Sequence, residues 1–160
     1  MAEFLNAAGV ETLDADDVVH ELIPPEERRR LAKVVFADAA ARRELESRIH
    51  PLVKARLEAF LAAAPAEGPL RLVIVPLLFE THWDAEYDII CCVSSSAEVQ
   101  VRRMMTARGY TREEAEARMA AQLPVEVKAA RSHYVIRNDG TPAELRQAVA
   151  EFVEWLRRVK

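Results

Sequence analysis

Glycine is scarce in this chain of 160 residues: there are four, Gly9, Gly68, Gly109 and Gly140, each far from the next. The lysines Lys33, Lys54, Lys128 and Lys160 are never followed by Ser or Thr. The pattern Gly-x-x-x-x-Gly-Lys-Ser/Thr, whose backbone amides cradle phosphates, is therefore not among these residues. Cysteine is scarcer still. Cys91 and Cys92 are adjacent in the apolar run Ile89 to Val93, and strand neighbours point to opposite faces, which disfavours a disulfide between them. They read as small buried hydrophobes in a reducing cytosol. A zinc site built on thiolates is excluded, and His20, His50, His82 and His133 lack metal-ligand spacing, so no metal ligands are predicted. Without a run of 18 apolar residues, or a basic segment leading into an apolar one, neither a membrane span nor a signal peptide is expected. Positive charge is not in surplus either. The net charge of −4 argues against non-specific nucleic-acid binding.

What is present fits one soluble domain of ordinary size, with 51% hydrophobic and 30% charged residues. The apolar, β-branched run Leu72 to Val75 predicts a strand covered on both faces of a parallel sheet, with Pro76 at its end. Glu80 then lies just past the strand's carboxyl end, where ligands bind in open α/β sheets. Upstream, a short helix Ala2 to Ala8 stops at Gly9, and a strand Val10 to Leu13 runs into Asp14, Asp16 and Asp17. Three carboxylates in four positions repel unless a cation, a metal or helix amides offset them. Asp16 or Asp17 is expected to cap the helix through Leu22. A helix starting at Pro25 runs to Phe36, a second is capped by Asp38, and His50-Pro51 breaks it before a third over Leu52 to Ala63. The turn Pro65 to Pro69 leads into the central strand.

Beyond Glu80 the pattern predicts a strand Tyr87 to Val93, with Ser94 to Ser96 as caps for a helix Ala97 to Ala107 that ends at Gly109. Thr111 to Glu114 is a capping box, a short strand covers Tyr134 to Ile136, and Thr141 to Glu144 opens the last helix. Alternating strands and helices give an α/β domain with a mainly parallel sheet. Arg102, Arg103, Arg108, Arg112 and Arg118 cluster on the helical pair between two strands. Guanidinium forks suit phosphates, and nearby acids can hold magnesium or accept a hydroxyl proton, so the pieces hint at phosphoryl transfer. A solvated charged hairpin, with Glu114 and Arg118 paired, accounts for the same spacing.

An ordered set of segments carries a resemblance: Leu13-Asp14-Ala15-Asp16 with His20, Val35 to Asp38, Ile49-His50-Pro51-Leu52-Val53, and Val75-Pro76-Leu77-Leu78-Phe79-Glu80 with Trp83. Gln100 with Arg103, Arg118 with Gln122, and Tyr134-Val135-Ile136 with Asn138 and Gly140 continue it. The set resembles the dephospho-coenzyme A kinase family over most of the chain. That resemblance implies a P-loop kinase moving the γ-phosphoryl of ATP, with Mg2+, to the ribose 3′-hydroxyl of dephospho-CoA in the cytoplasm. It makes Asp16 the base, puts Asp14 beside it near magnesium and substrate, and assigns His50, Phe79 and Glu80 to the acceptor. Arg108 and Arg118 become lid residues for ATP phosphates, and Asn138 lies near the adenine. The organisation implied is a single kinase-like domain over 1–160, a substrate-side helical region near 18–63 and a lid-like hairpin near 97–131.

The chain also departs from that family. The family places its first lid arginine where this chain has Ala107, an acid where His133 stands, and a longer segment between Leu22 and Val34. Its first strand, which leads into the phosphate loop, lies mid-sheet between the strands matching Leu72 to Val75 and Tyr87 to Val93. Without that strand each neighbour would expose a ladder edge, at about 1–3 kcal/mol for every buried unsatisfied group. The expectation is a truncated reading of a longer gene, with a start codon set too late, or a re-paired sheet. Three functions stay open: the kinase, a non-catalytic relic that binds the acceptor or a partner, and another P-loop nucleotide kinase.

Overall fold

The computed structural model describes residues 1–26, 39–64 and 68–159. Residues 27–36 of the helix expected from Pro25 to Phe36, the Asp38 cap, residues 27–34 of the shortened Leu22 to Val34 segment and residues 65–67 of the turn expected over 65–69 lie outside those residues. The chain divides into two compact units, Met1–Pro76 and Leu77–Lys160.

In the first unit, helix α1 (Ala2–Ala7) gives way at Gly9, whose φ of 77° is one that L side chains avoid. Strand β1 (Val10–Asp14) follows and leads directly into α2 (Ala15–Leu22). The cap of α2 is Asp14, two residues before Asp16 and three before Asp17, which were expected to cap it: the Asp14 side chain accepts from Asp16 N at 2.9 Å. Helix α3 (Ala39–Ala62) is continuous, with Pro51 inside it, where a break was expected. The proline ring denies the Ser47 carbonyl its partner, at a cost of roughly 3 kcal/mol. Burial of Val53 and Leu57, at 2% and 0% exposure, offsets that cost. Each such side chain contributes about 1.5–3 kcal/mol. Strand β2 (Leu70–Ile74) pairs in parallel with β1, Val10 opposite Leu70 and Asp14 opposite Ile74.

The second unit holds β3 (Cys91–Ser94), α4 (Ala97–Arg108), α5 (Arg112–Ala120), α6 (Val125–Ala130), β4 (Tyr134–Arg137) and α7 (Pro142–Val159). β3 and β4 are parallel, with Cys92 opposite Val135 and Ser94 opposite Arg137. The strand expected from Tyr87 to Val93 runs from Cys91 to Ser94; a 3-10 turn (Asp84–Glu86) lies upstream, and Ile90 N donates to His133 Nδ1 at 3.1 Å. Gly109, at φ 68°, ends α4, and Thr111 with Glu114 forms the expected reciprocal box on α5. A second box joins Thr141 and Glu144, with Thr141 N donating to Glu144 Oε2 at 2.7 Å. Along α7 the apolar spacing buries Leu145, Val149, Phe152, Val153 and Leu156. The Tyr134 ring meets those of Phe152 and Trp155 at 5.1 and 5.0 Å.

Among the described residues the strands form two two-stranded sheets, β1 with β2 and β3 with β4. The expectation that Leu72 to Val75 is covered on both faces is corrected: these residues are half-buried. Val93 in β3 is exposed. Burial of a strand face depends on what packs over it, so hydrophobic content alone did not determine burial.

Candidate functional site

Two groups of residues emerge, one in each unit. In the first, the turn from β1 into α2 sets Asp14 half-buried and Asp16 exposed at the strand's carboxyl end. Asp14 caps with Oδ1, so the helix amides supply the offset that three adjacent carboxylates need. Burial still holds the Asp14 carboxyl above its ordinary range, and the charges of Asp16 and Asp17 add to it against the hydrogen bond from Asp16 N. His50 sits on α3 immediately before Pro51, half-buried.

In the second unit, Phe79 and Glu80 belong to a tight turn in which Thr81 N donates to Leu77 O at 2.9 Å and Trp83 N to Leu78 O at 3.0 Å. Phe79 is 4% exposed, and the Arg131 guanidinium lies 4.6 Å from its ring centroid. Glu80 points inward. Its Oε1 accepts from Leu123 N at 3.0 Å and meets Lys128 Nζ at 2.7 Å. Burial by itself would raise this carboxyl, but Lys128 and the Leu123 amide hold it below the usual range.

The loops after β3 and β4 are stitched together. Ser95 Oγ donates to Asn138 O at 2.8 Å, and Ser96 N donates to Asp139 Oδ1 at 2.6 Å. Ser96 is the N-cap residue of α4, as the serine run predicted, but its hydroxyl makes no capping bond; Asp139 instead accepts from the Ser96 amide. Arg103 bridges the two loops, 3.2 Å from both Ser95 Oγ and Asn138 Oδ1. Gln100 Nε2 adds a bond to Ser95 O at 2.7 Å. A cavity of about 440 Å³ opens here, lined by Ser94 to Ser96, Val125, Val135 and Arg137 among others. Ser94 is buried at its rim, and its Oγ has no partner.

Arg118 is held within the hairpin. Its guanidinium stacks 3.9 Å from the Tyr110 centroid and donates to the backbone oxygen of Glu114 at 3.2 Å, not to the Glu114 carboxylate. That carboxylate is committed to Thr111 N at 2.9 Å, which is why the anticipated side-chain pair does not form. The ion pairs of the hairpin run instead from Arg112 to Glu98 and Glu116. Arg108 is exposed at the end of α4.

The structure thus brings Asp14 and Asp16 together, sets Asn138 against Arg103, and joins Phe79 and Glu80 to α6. Lys128 and Arg131 were not singled out from the sequence. Their spacing of three, one turn apart on a helix, was the available signal. Cys91 and Cys92 are free; burial pushes the Cys91 thiol up to about 12 and raises Cys92 as well. Among the described residues no three His, Cys, Asp or Glu side chains gather as a metal site, and no helix is long and apolar enough to cross a membrane.

Comparison with known proteins is consistent over almost the whole length. Residues 27–144 match the family model described as dephospho-CoA kinase. A dephospho-CoA kinase of Geobacter sulfurreducens is 33% identical over 181 residues, an alignment spanning 99% of this chain and 91% of that protein. One from Anaeromyxobacter dehalogenans is 38% identical over 146 residues, 91% of this chain and 66% of the other. A crystal structure from Thermus thermophilus superposes with a TM-score of 0.77 at 32% identity, covering 97% of this chain and 89% of that one. Dephospho-CoA kinase from Campylobacter jejuni shares the fold, with a TM-score of 0.69 at 22% identity over 96% of this chain and 88% of its own. The acidic turn, the Phe79–Glu80 loop and the arginine hairpin are therefore features of an α/β chain that belongs to the dephospho-CoA kinase family.

Proposed function

We propose that this chain takes part in transfer of the γ-phosphoryl group of ATP to the ribose 3′-hydroxyl of dephospho-CoA. The observation that carries the reading is the acidic turn at the end of β1. Asp14 is fixed as the cap of α2 while Asp16, two residues on, keeps its carboxylate in solvent. A carboxylate held on a helix start but left free can accept the proton of an attacking hydroxyl. In the proposed step the 3′-oxygen bonds to the γ-phosphorus, the bond from that phosphorus to the β–γ bridging oxygen breaks, and ADP leaves. Asp16 takes the hydroxyl proton.

The remaining roles are assigned residue by residue. Asp14 keeps its second oxygen for magnesium or substrate, and His50, Phe79 and Glu80 serve the acceptor. Arg108 and Arg118 are the lid guanidiniums for phosphate, and Asn138 serves the adenine. The cavity beside Asn138 suits the nucleoside part of ATP, since the unpartnered Ser94 hydroxyl and the apolar Val125 and Val135 offer a flat base both polar and dispersive contact. Magnesium in such reactions is held by one or two carboxylates together with phosphate oxygens, so Asp14 alone can supply the protein's share. A cytoplasmic location accompanies this reading.

Incubation with ATP, magnesium and dephospho-CoA, of the 160-residue chain and of a version carrying any in-frame codons upstream of Met1, followed by mass spectrometry of the acceptor, tests it; the chain without the phosphate-cradling pattern is expected to be the less active of the two. Phosphorylated acceptor that disappears in Asp16→Asn is the expected result. Dephospho-CoA binding by calorimetry without turnover would select an acceptor-binding protein instead. Neither binding nor product would overturn both.

A further inference from the structure

Glu80 raises a question that catalysis alone leaves open. A carboxylate expected to meet the acceptor has one oxygen committed to Lys128 and Leu123 and the other, Oε2, buried without a partner. Its side chain is 19% exposed and that of Lys128 14%. Lys128 in turn donates to Gln122 Oε1 at 3.1 Å, so the ammonium sits at the junction of three chain segments. One turn later Arg131 grips the same loop twice. Its Nη2 is 2.5 Å from Asp84 Oδ2, and its guanidinium covers the Phe79 ring. Between these grips His82 is held at φ 58°, a left-handed conformation that costs a side-chain-bearing residue energy and persists only where surrounding contacts impose it.

We propose that Lys128 and Arg131 are positioning residues, and that α6 clamps the 77–86 loop so that the acceptor side and the exit of the arginine hairpin move as one body. The inference rests on the reading that this loop serves dephospho-CoA. The segment 121–131 is where the chain leaves the arginine hairpin, and it is tied to the loop by a half-buried ion pair, a backbone amide, a second ion pair and a ring contact. A ligand that orders the loop must therefore order the hairpin's exit, and a hairpin closed on phosphates must firm the loop. Coupling of this kind is reciprocal.

Three measurements on the full chain test it. Trp83 lies inside the clamped loop, and Trp155→Phe leaves it as the sole tryptophan. In that background Lys128→Met and Arg131→Met are expected to expose Trp83 to acrylamide and to weaken dephospho-CoA binding about tenfold, the usual range for site-to-site coupling. Lys128→Arg should restore both. Dephospho-CoA added to the unsubstituted protein should slow hydrogen exchange at the Leu123 amide, a response that a merely structural lysine would not produce. Should Lys128→Met fail to fold around an unpaired Glu80, Arg131→Met, which leaves the Glu80–Lys128 pair intact, carries the quenching and binding comparison by itself. Binding left unchanged by these variants, or a Leu123 amide indifferent to the ligand, overturns the clamp alone. Failure of the unsubstituted protein to bind dephospho-CoA overturns the acceptor reading beneath it.

Discussion

Replacing Asp14 separates two jobs that its carboxylate performs at once. As a helix cap, its Oδ1 satisfies the Asp16 amide at 2.9 Å. Loss of such a cap costs about 1 kcal/mol, within a range of roughly 0.5–2. Asp14→Ala should lower stability by that amount, or about 2–4 °C in melting temperature for a chain of this size. Asp14→Asn keeps an oxygen in the same place and removes a charge that burial, Asp16 and Asp17 all penalise. It should be at least as stable as the parent at neutral pH. The sign follows from the raised carboxyl. The folded protein binds this proton more tightly than the unfolded chain, so Asp14 makes stability fall as pH rises from the ordinary value of 3.8 through its raised folded value. The asparagine variant should lose that contribution. Calorimetric melting across pH 3–8, about the range in which carboxylates of this kind titrate, reads all three proteins. An asparagine variant as unstable as the alanine variant would refute the capping account. It would show that the charge itself is required by the fold and that the acidic turn need not be explained by a ligand.

Three further outcomes follow from the packing. Leu57→Ala, at a position with 0% exposure, should cost about 2–5 kcal/mol in urea unfolding, and a loss below 1 would mean that α3 is not seated as described. Gly109→Ala meets no atom within 4 Å but must adopt φ 68°, so it should destabilise by about 1 kcal/mol through backbone strain alone, seen as a lower melting temperature. Both cysteines should resist alkylation at pH 8 while the protein is folded and react after denaturation, since the Cys91 thiol is held up at about 12 and that of Cys92 is raised. Mass spectrometry showing modified Cys91 in the folded state would contradict the raised position of its thiol.

How much was legible in advance differs from residue to residue. Gly9 and Gly109 announced helix ends because only glycine enters their φ cheaply, and Thr111 with Glu114 announced a helix start because the box is closed within four residues. Pro51 misled for the converse reason. A local rule forbids the helix there, whereas Val53 and Leu57 restore it through burial against α2 and β2, which no local window contains. Ser96 takes the N-cap position that its type announced, yet the carboxylate that fixes its amide comes from Asp139, 43 positions along the chain.

Order and chemistry of segments were thus set by the sequence alone: the parallel α/β pattern, the acidic turn after β1, the arginine hairpin and the family to which they belong. Those properties depend on residues close together in the chain, whose spacing survives without coordinates. Tertiary structure alone decided which partners the charges take. It turned Glu80 inward to Lys128 and Leu123, stacked Arg118 on Tyr110, laid Arg131 over Phe79 and tied Asn138 to Arg103. Ion pairs and ring contacts form wherever folding brings groups within a few ångströms, and several arginines and acids of like spacing compete for each place.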